Sequence, residues 1–157
     1  MIPIIGPTPL LLESLEIYPR RYLESLNTST PTQHATSMEG LMTNHQMQEC
    51  LQNCQQCHAI CTETAQHCLQ MGGKHAEADH IRLLLDCAQI CQTSADFMLR
   101  GSHLHTRTCG ACAEICRACA EACERIGGDD TMMKKCAKVC RRCAESCHQM
   151  AQAKSKA

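Results

Sequence analysis

The apolar and polar positions of residues 42–152 follow a helical pattern and not a strand-like one. Cysteines recur within each segment at intervals of three, four or seven residues, as in CGACAEICRACAEAC at 109–123. This spacing places side chains on one face of an α-helix, along the seam of a heptad repeat. Glycine-containing stretches at 72–73, 100–102 and 127–130 interrupt the pattern. We therefore predict four helices, over residues 42–71, 76–100, 103–126 and 130–152.

The predicted helix ends and connections define the architecture. Thr43 and either Asp129 or Asp130 are the expected N-cap residues, and the glycines mark helix termini. Short connections make neighbouring helices antiparallel, and no segment alternates as a strand would. The predicted fold class is all-α: an antiparallel up-down-up-down four-helix bundle with a cysteine-lined core.

All sixteen cysteines can be assigned to the a or d positions of these heptads. The flanking g positions are apolar, for example Ile60, Ile115 and Val139, and the flanking e positions carry alanine. Small alanines let the helices approach closely, so the bundle axis is left to the thiols. The cysteines are Cys50, Cys54, Cys57, Cys61, Cys68, Cys87, Cys91, Cys109, Cys112, Cys116, Cys119, Cys123, Cys136, Cys140, Cys143 and Cys147.

Residues 1–40 contain no cysteine and differ from the rest of the chain. Short apolar runs broken by four prolines are followed by a polar, Ser/Thr-rich stretch. We expect an N-terminal extension or linker, as a short amphipathic helix or a partly disordered segment, or else an over-extended start with Met38 or Met42 as the beginning. The bundle domain is expected over residues 41–152, with a flexible tail at 153–157.

Composition limits the function and the compartment. A net charge of -1 provides no field to attract nucleic acid or a membrane surface, and no apolar run reaches the 18 residues of a membrane span. No basic residue precedes the first apolar run, so residues 1–40 make a poor export signal and we expect a cytoplasmic protein. Thiols stay reduced there, and a cysteine pattern then indicates metal more often than disulfides.

Three uses of so many core thiols can be compared. Cysteine could fill a narrow core as a small hydrophobe, but its retention usually reflects its chemistry. Residues three or four apart on a helix have Cβ atoms about 5 to 6 Å apart, too far for the disulfide range of about 3.5 to 4.5 Å. A soft metal between two sulfurs spans that gap. Cu(I) balances charge best, because one ion per thiolate neutralises the core, whereas zinc held by four thiolates leaves two surplus negative charges.

The helices that carry CLQNCQQCHAIC, LLLDCAQIC, CGACAEICRACAEAC and CAKVCRRCAESC resemble the copper-storage proteins, a family of four-helix-bundle copper-binding proteins. The resemblance covers residues 42–152. It implies a cytosolic homotetramer that fills its core with multiple Cu(I) ions bound mostly by pairs of thiolates, for copper homeostasis or detoxification. Copper ions are the implied ligand, and a copper chaperone or efflux protein is the implied partner.

Stacking the antiparallel heptads predicts four successive layers of core side chains. The predicted layers, in order along the axis, are Cys50, Cys109, Cys147 and Ser94; Cys54, Cys91, Cys112 and Cys143; Cys57, Cys87, Cys116 and Cys140; and Cys61, Cys119, Cys136 and Leu84.

One end of the bundle carries weaker copper ligands. Met47, Met98, His105 and Met150 extend the seam beyond the Cys50 layer, and His103 lies nearby. Thioether and imidazole groups there predict an entrance that passes Cu(I) inward, although methionines could simply plug the core. The opposite end is a competing entrance, with Met71, His80 and Met133 near Cys68 and Cys123.

No catalytic motif accompanies the cysteines. The chain has no glycine-rich phosphate loop, and nucleophilic catalysis needs one activated thiol instead of sixteen equivalent ones. We therefore expect no enzyme activity. Two alternatives to copper storage stay open: a zinc or general soft-metal thiolate buffer, and a thiol redox protein.

Overall fold

The computed structural model describes residues 38–153 of the chain, with side chains from residue 44 onward. The expected N-terminal extension, except for its last three residues, and the tail after residue 153 lie outside the described part. The described residues form four α-helices and one short 3-10 segment. The helices are α1 (Met38–Met71), α2 (Ala78–Leu99), α3 (His105–Gly127) and α4 (Thr131–Gln152), and the 3-10 segment is Gly73–Ala76.

The four helices close into a bundle as predicted. Each helix packs against its two neighbours, because α1 contacts α2 and α4, and α3 contacts α2 and α4. The connections are short, so successive helices run antiparallel and the heptad seams of all four face a common axis. None of the described helices is long and apolar enough to cross a membrane.

Of the predicted N-cap residues, the one for α4 is confirmed and the one for α1 is wrong. Asp130 is the N-cap of α4, and its Oδ1 accepts hydrogen bonds from the backbone N–H groups of Met132 and Met133 at 2.8 and 3.0 Å. The prediction of Thr43 as an N-cap is wrong, because α1 already begins at Met38 and Thr43 lies inside the helix. No proline separates the two residues, so nothing stops the helix from extending toward the N-terminus.

The core is built from sulfur and small side chains. All sixteen cysteines are buried, and so are the alanines predicted at e positions, such as Ala95, Ala120 and Ala144. Close packing is most demanding at Gly127, where an added Cβ would come within 2.6 Å of the Met133 Cβ. The final turn of α3 therefore approaches α4 so closely that only glycine fits.

A polar contact between α1 and α4 fixes their relative position outside the core. The Asn53 amide is buried; its Nδ2 donates to Ser146 Oγ at 3.1 Å, and its Oδ1 accepts from Arg142 Nε at 2.9 Å. Both bonds satisfy an amide that would otherwise cost energy to bury. They lie beside Cys54 and Cys143 in sequence, so they help to set the register of the two helices that present these sulfurs.

Candidate metal centre

The thiols lie in a nearly dry column along the bundle axis. Each of the sixteen cysteines is free, and each is at most 1% exposed. The shortest sulfur–sulfur distance recorded among them is 3.4 Å, between Cys54 and Cys147, which is well beyond a disulfide bond of about 2.05 Å. The sulfurs are thus in contact but not bonded, as a core that accepts metal ions requires.

The layer predicted from Cys54, Cys91, Cys112 and Cys143 is confirmed only in part. Three of these sulfurs form a group within 4.8 Å with Cys147, and Cys91 belongs to a different group that shares only Cys143 with them. The Cys91 sulfur lies 3.6 Å from that of Cys112 and 3.9 Å from that of Cys143, and the sulfurs of Cys143 and Cys54 are 3.8 Å apart. One thiol from each of the four helices therefore points at the same section of the axis.

The next predicted layer, Cys57, Cys87, Cys116 and Cys140, is likewise confirmed in part. Cys57, Cys87 and Cys140 form a group within 4.8 Å with Cys61, and Cys116 belongs to a different group that shares only Cys57 with them. The Cys57 sulfur lies 3.6 Å from that of Cys140, 3.8 Å from that of Cys116 and 3.9 Å from that of Cys87, and the sulfurs of Cys87 and Cys116 are 3.6 Å apart. Cys57 therefore has a neighbouring thiol on each of the three other helices. Its position makes it the centre of the layer.

The two outer layers contain three thiols each, as predicted. The sulfurs of Cys50, Cys109 and Cys147 lie within 4.8 Å of one another. Ser94, the residue expected at this level on α2, is fully buried, and its hydroxyl has no hydrogen-bond partner among the described residues. The heptad register predicts that this oxygen takes the place of a fourth sulfur in the layer.

The other outer layer consists of Cys61, Cys119 and Cys136, and Leu84 of α2 is fully buried as expected at this level. Cys140 from the adjacent layer joins these three thiols, and all four sulfurs lie within 4.8 Å of one another. The sulfurs of Cys61 and Cys140 are only 3.5 Å apart. The layers are thus close enough for sulfurs to be shared between them.

Five groups of three or four cysteines among the described residues have all their sulfurs within 4.8 Å of one another. Neighbouring groups share members, because Cys57, Cys61, Cys140, Cys143 and Cys147 each belong to two groups. We call the cysteines of these groups the sulfur column. Its members are Cys50, Cys54, Cys57, Cys61, Cys87, Cys91, Cys109, Cys112, Cys116, Cys119, Cys136, Cys140, Cys143 and Cys147.

Hydrogen bonding and burial control the ionisation of these thiols. The pKa of Cys57 is lowered, first by hydrogen bonding with Cys116, because neighbouring thiols that donate hydrogen bonds stabilise a thiolate. The pKa of Cys61 is raised, first by hydrogen bonding with Cys119 and further by burial, and that of Cys143 is raised, first by hydrogen bonding with Cys112. A metal-free column therefore keeps many of its thiols protonated, and metal binding releases protons.

The weaker ligands predicted at one bundle end are only partly drawn into the core. Met98 and Met150 are buried and Met47 is partly buried against the core, beyond the layer of Cys50, Cys109 and Cys147. His105 is half-buried at the start of α3, with its Nδ1 2.7 Å from the Ser102 carbonyl oxygen, and His103 is exposed in the preceding turn. We call this set the methionine end: Met47, Met98, His103, His105 and Met150.

The opposite end holds three different donor groups in contact. The Cys68 sulfur lies 3.5 Å from Met133 Sδ and 3.7 Å from His80 Nε2. Cys68 and Met133 are fully buried, and His80 is 4% exposed. Burial lowers the pKa of His80, and burial raises the pKa of Cys68 to about 11. We call Cys68, His80 and Met133 the terminal triad.

Cys68 was predicted as a ligand, whereas His80 and Met133 were predicted only as part of a competing entrance. A signal was available. His80 lies seven residues before Cys87 and Met133 three before Cys136, so both occupy the seam that the cysteines follow. Met71, named with them, is exposed, and Cys123 is buried but belongs to none of the five sulfur groups.

Two further histidines, His67 and His75, lie near Asp130 at the start of α4. His67 Nε2 is 2.7 Å from Asp130 Oδ2, and His75 Nε2 is 4.0 Å from the same oxygen. The hydrogen bond from His67 is the first of the interactions that lower the pKa of Asp130. Asp130 therefore ties the start of α4 to α1 while it caps its own helix.

Comparison with known proteins gives a consistent family assignment. A sequence-family model described as Csp, copper storage protein, matches residues 43–152. A solved structure of a protein from Nitrosospira multiformis is 50% identical, with a TM-score of 0.65, over 69% of this chain and 96% of that chain. Comparison with curated protein sequences finds no match.

Two further similar structures are described as copper proteins. The Cu(I)-bound copper storage protein BsCsp3 of Bacillus subtilis is 33% identical, with a TM-score of 0.63, over 68% of this chain and 98% of that chain. A cytosolic copper storage protein from Streptomyces lividans, in a structure with five coppers, is 28% identical, with a TM-score of 0.62, over 70% of this chain and 95% of that chain.

Proposed function

This chain belongs to the copper storage protein family, and from that premise we propose that it stores Cu(I) along its sulfur column, with Cys68 and Cys123 as additional ligands. The related structure from Bacillus subtilis is Cu(I)-bound and that from Streptomyces lividans contains five coppers. In this role the protein binds and releases metal ions, and no covalent bond of a substrate is made or broken. We accordingly propose no enzymatic role.

The sharing of sulfurs between neighbouring groups is the observation that carries the proposal. A Zn–S bond of about 2.3 Å places tetrahedral ligands about 3.8 Å apart, so the distances within one quartet also suit zinc. Separate tetrahedral sites, however, need four sulfurs each, and Cys57, Cys61 and Cys140 each belong to two quartets. All the groups can therefore be occupied together only if thiolates bridge metal ions or if each ion takes fewer than four sulfurs. Both arrangements suit Cu(I).

Charge favours the same metal. A column of many thiolates without cations would carry a large buried negative charge, which is costly in a low-dielectric interior. One Cu(I) for each thiolate leaves the column neutral at full loading, whereas one Zn(II) for four thiolates leaves two negative charges per site. Soft thiolate ligands also select Cu(I) among the metals that such a site could meet.

The metal-free protein should already be folded. Protonated thiols are small hydrophobic groups, and the buried Leu84, Ile60 and the alanines complete a core without metal. Copper is then exchanged for protons within a preformed bundle, and release requires a competing ligand or an acceptor protein. The expected circular dichroism of the reduced, metal-free protein is strongly helical, and an unfolded spectrum would refute this part of the proposal.

We extend the proposal to the copper entrance, the cellular location, the assembly and the partner of the protein. The methionine end is a candidate entrance, because its thioether and imidazole groups bind Cu(I) without adding negative charge. We further propose a cytoplasmic location, assembly as a homotetramer and delivery of copper to a chaperone or an efflux protein. The description of the Streptomyces lividans relative as cytosolic supports the location.

An anaerobic titration tests the proposal. The fully reduced protein is titrated with Cu(I) in competition with a chromophoric chelator, and Zn(II) is titrated in a parallel cell, with the thiol count measured on the same sample. We expect saturation near one Cu(I) per thiol and weak Zn(II) uptake. An endpoint of only a few Cu(I), or tight binding of about one Zn(II) per four thiols, would contradict copper storage and favour the soft-metal buffer. Disulfides that form and reduce reversibly in the isolated protein would favour the redox alternative.

A further inference from the structure

The terminal triad combines a thiol, an imidazole and a thioether at one buried point. Cys68 is contributed by α1, His80 by α2 and Met133 by α4. The Cys68 sulfur contacts the other two groups at 3.7 and 3.5 Å, and none of the three residues is part of the sulfur column. Three helices therefore present three uncharged soft or borderline donors, each of a different chemical kind, to the same small volume.

The histidine is the part of this arrangement that packing does not explain. His80 occupies a core position of its heptad, where an apolar residue would bury without cost. Its Nδ1 is buried without a hydrogen-bond partner among the described residues, and its Nε2 faces only the weakly bonding sulfur of Cys68. A buried polar atom without a partner costs about 1–3 kcal/mol. The observation that a metal ion explains is the one at Nε2, where an ion bound between the ring and the sulfur would replace a weak contact with a strong one; the ring proton then lies on Nδ1.

The distances fit a metal ion in that place. With bonds of about 2.0 Å to nitrogen and about 2.3 Å to sulfur, a trigonal ion separates its nitrogen and sulfur ligands by about 3.7 Å, and two sulfur ligands by about 4.0 Å. The observed separations are 3.7 Å for His80 Nε2 and Cys68 Sγ, and 3.5 Å for Met133 Sδ and Cys68 Sγ. Of these two separations, the one between nitrogen and sulfur already fits, and the one between the two sulfurs must increase by about 0.5 Å.

We infer that Cys68, His80 and Met133 form a distinct, mononuclear Cu(I) site with mixed ligands at the end of the bundle opposite the methionine end. The inference rests on the proposed function, because copper must reach this core for the site to be filled. Binding removes the Cys68 proton, so the occupied site contains one thiolate and one Cu(I) and is neutral. The imidazole and the thioether supply no charge, and they select a soft monovalent ion.

The site is adjacent to the sulfur column and differs from it. Cys68 follows Cys61 by two turns of α1, and Met133 precedes Cys136 by one turn of α4, so an ion at the triad lies next to the quartet that contains these two cysteines. Only one of its ligands is a thiolate, so it holds Cu(I) less tightly than the column does. The triad therefore fills after the column and releases its ion before the column does.

Methionine methyl resonances give a direct test on the full chain. The reduced protein, labelled with ¹³C at the methionine methyl groups, is titrated anaerobically with Cu(I), and the Met133 signal is assigned by its loss in Met133→Leu. We expect the Met133 methyl signal to shift late in the titration and the shift to disappear in His80→Gln. The Met132 methyl group, on the next residue of α4, serves as an internal reference.

Copper capacity provides a second readout with matched controls. His80→Gln and Met133→Leu should each lower the total Cu(I) capacity by one ion, the last to bind, while Met132→Leu and the exposed-histidine variant His148→Gln keep the full capacity. If the column fills but the Met133 methyl signal does not move and both variants keep full capacity, the triad is not a copper site and the storage proposal stands. If the wild-type protein takes up no Cu(I), both proposals are wrong. Should His80→Gln fail to fold, the wild-type spectrum and Met133→Leu decide.

Discussion

Replacement of Cys57 by alanine separates the packing role of a core thiol from its metal-binding role. The Cys57 side chain is fully buried and touches four other thiols, those of Cys61, Cys87, Cys116 and Cys140, at 3.6 to 4.0 Å. It also belongs to two of the five sulfur groups. Its loss should therefore disturb copper binding more than the loss of a cysteine in a single group.

The Cys57→Ala variant should show a small loss of unfolding free energy and a clear loss of copper capacity. Cys57→Ala removes one sulfur atom, comparable in size to a methylene group, and should lower the free energy of unfolding of the metal-free protein by about 1 kcal/mol. Copper capacity should fall by more than the loss of about one ion per thiol that we expect for Cys109→Ala, because Cys57→Ala removes a ligand from two sulfur groups. Leu84→Ala is the matched control, since Leu84 is a fully buried core residue without a metal ligand. It should lower the unfolding free energy by about 2–5 kcal/mol and leave the capacity unchanged.

The assay combines two measurements on each variant. Urea unfolding followed by circular dichroism gives the free energy of unfolding of the reduced, metal-free protein, and Cu(I) competition titration gives the capacity. Equal capacities for Cys57→Ala and the wild-type protein would refute the argument, because the central thiol would then only fill space. A loss of capacity in Leu84→Ala would also refute it, since stability alone would then govern metal uptake.

Three further predictions follow from the helix contacts and the buried thiols. Gly127→Ala should lower the free energy of unfolding by about 1–3 kcal/mol, measured by urea unfolding, because the new Cβ meets Met133 at 2.6 Å. Asp130→Ala should lower the free energy of unfolding by about 1 kcal/mol at neutral pH, because the N-cap of α4 is lost. The pKa of Asp130 is lowered in the folded state, so the difference between the variant and the wild-type protein should shrink as the pH falls through that pKa. A difference that does not change with pH would contradict this prediction. The folded-state pKa of Cys68 is raised from 9.0 to about 11, so the metal-free protein should lose stability as the pH rises from about 9 to about 11. Helical circular dichroism over that range checks this, with Cys68→Ala expected to reduce the loss.

The sequence was sufficient to predict the bundle and the approximate order of its layers because one residue type marks most positions along the axis. Intervals of three and four between cysteines determine the helix phase, and the antiparallel order then determines which sulfurs meet, as with Cys57 and Cys140. Asp129 and Asp130 were both recognisable as N-cap candidates because they follow two glycines at a clear break in the pattern, and the structure shows that Asp130 is the cap. In this chain the local helix signals and the pattern of core residues predict the same helices, so the fold can be predicted from the sequence.

The remaining features depended on contacts that spacing does not encode. The seam spacing placed His80 and Met133 near Cys68 at one bundle end, but methionine and histidine there usually indicate packing, so their direct contacts with the Cys68 sulfur became visible only in three dimensions. The start of α1 was misplaced because a threonine can cap a helix or lie within one. The unpartnered Ser94 hydroxyl likewise requires knowledge of the layer in which it lies.

Crystallography of the copper-loaded protein tests the central claim most directly. Anomalous scattering measured on either side of the copper absorption edge would show the position of each metal ion. Our account predicts a row of copper peaks along the bundle axis, each between sulfurs of neighbouring layers such as those of Cys54, Cys57 and Cys143. Copper bound only at surface histidines, with the axis empty and the thiols unchanged, would contradict it.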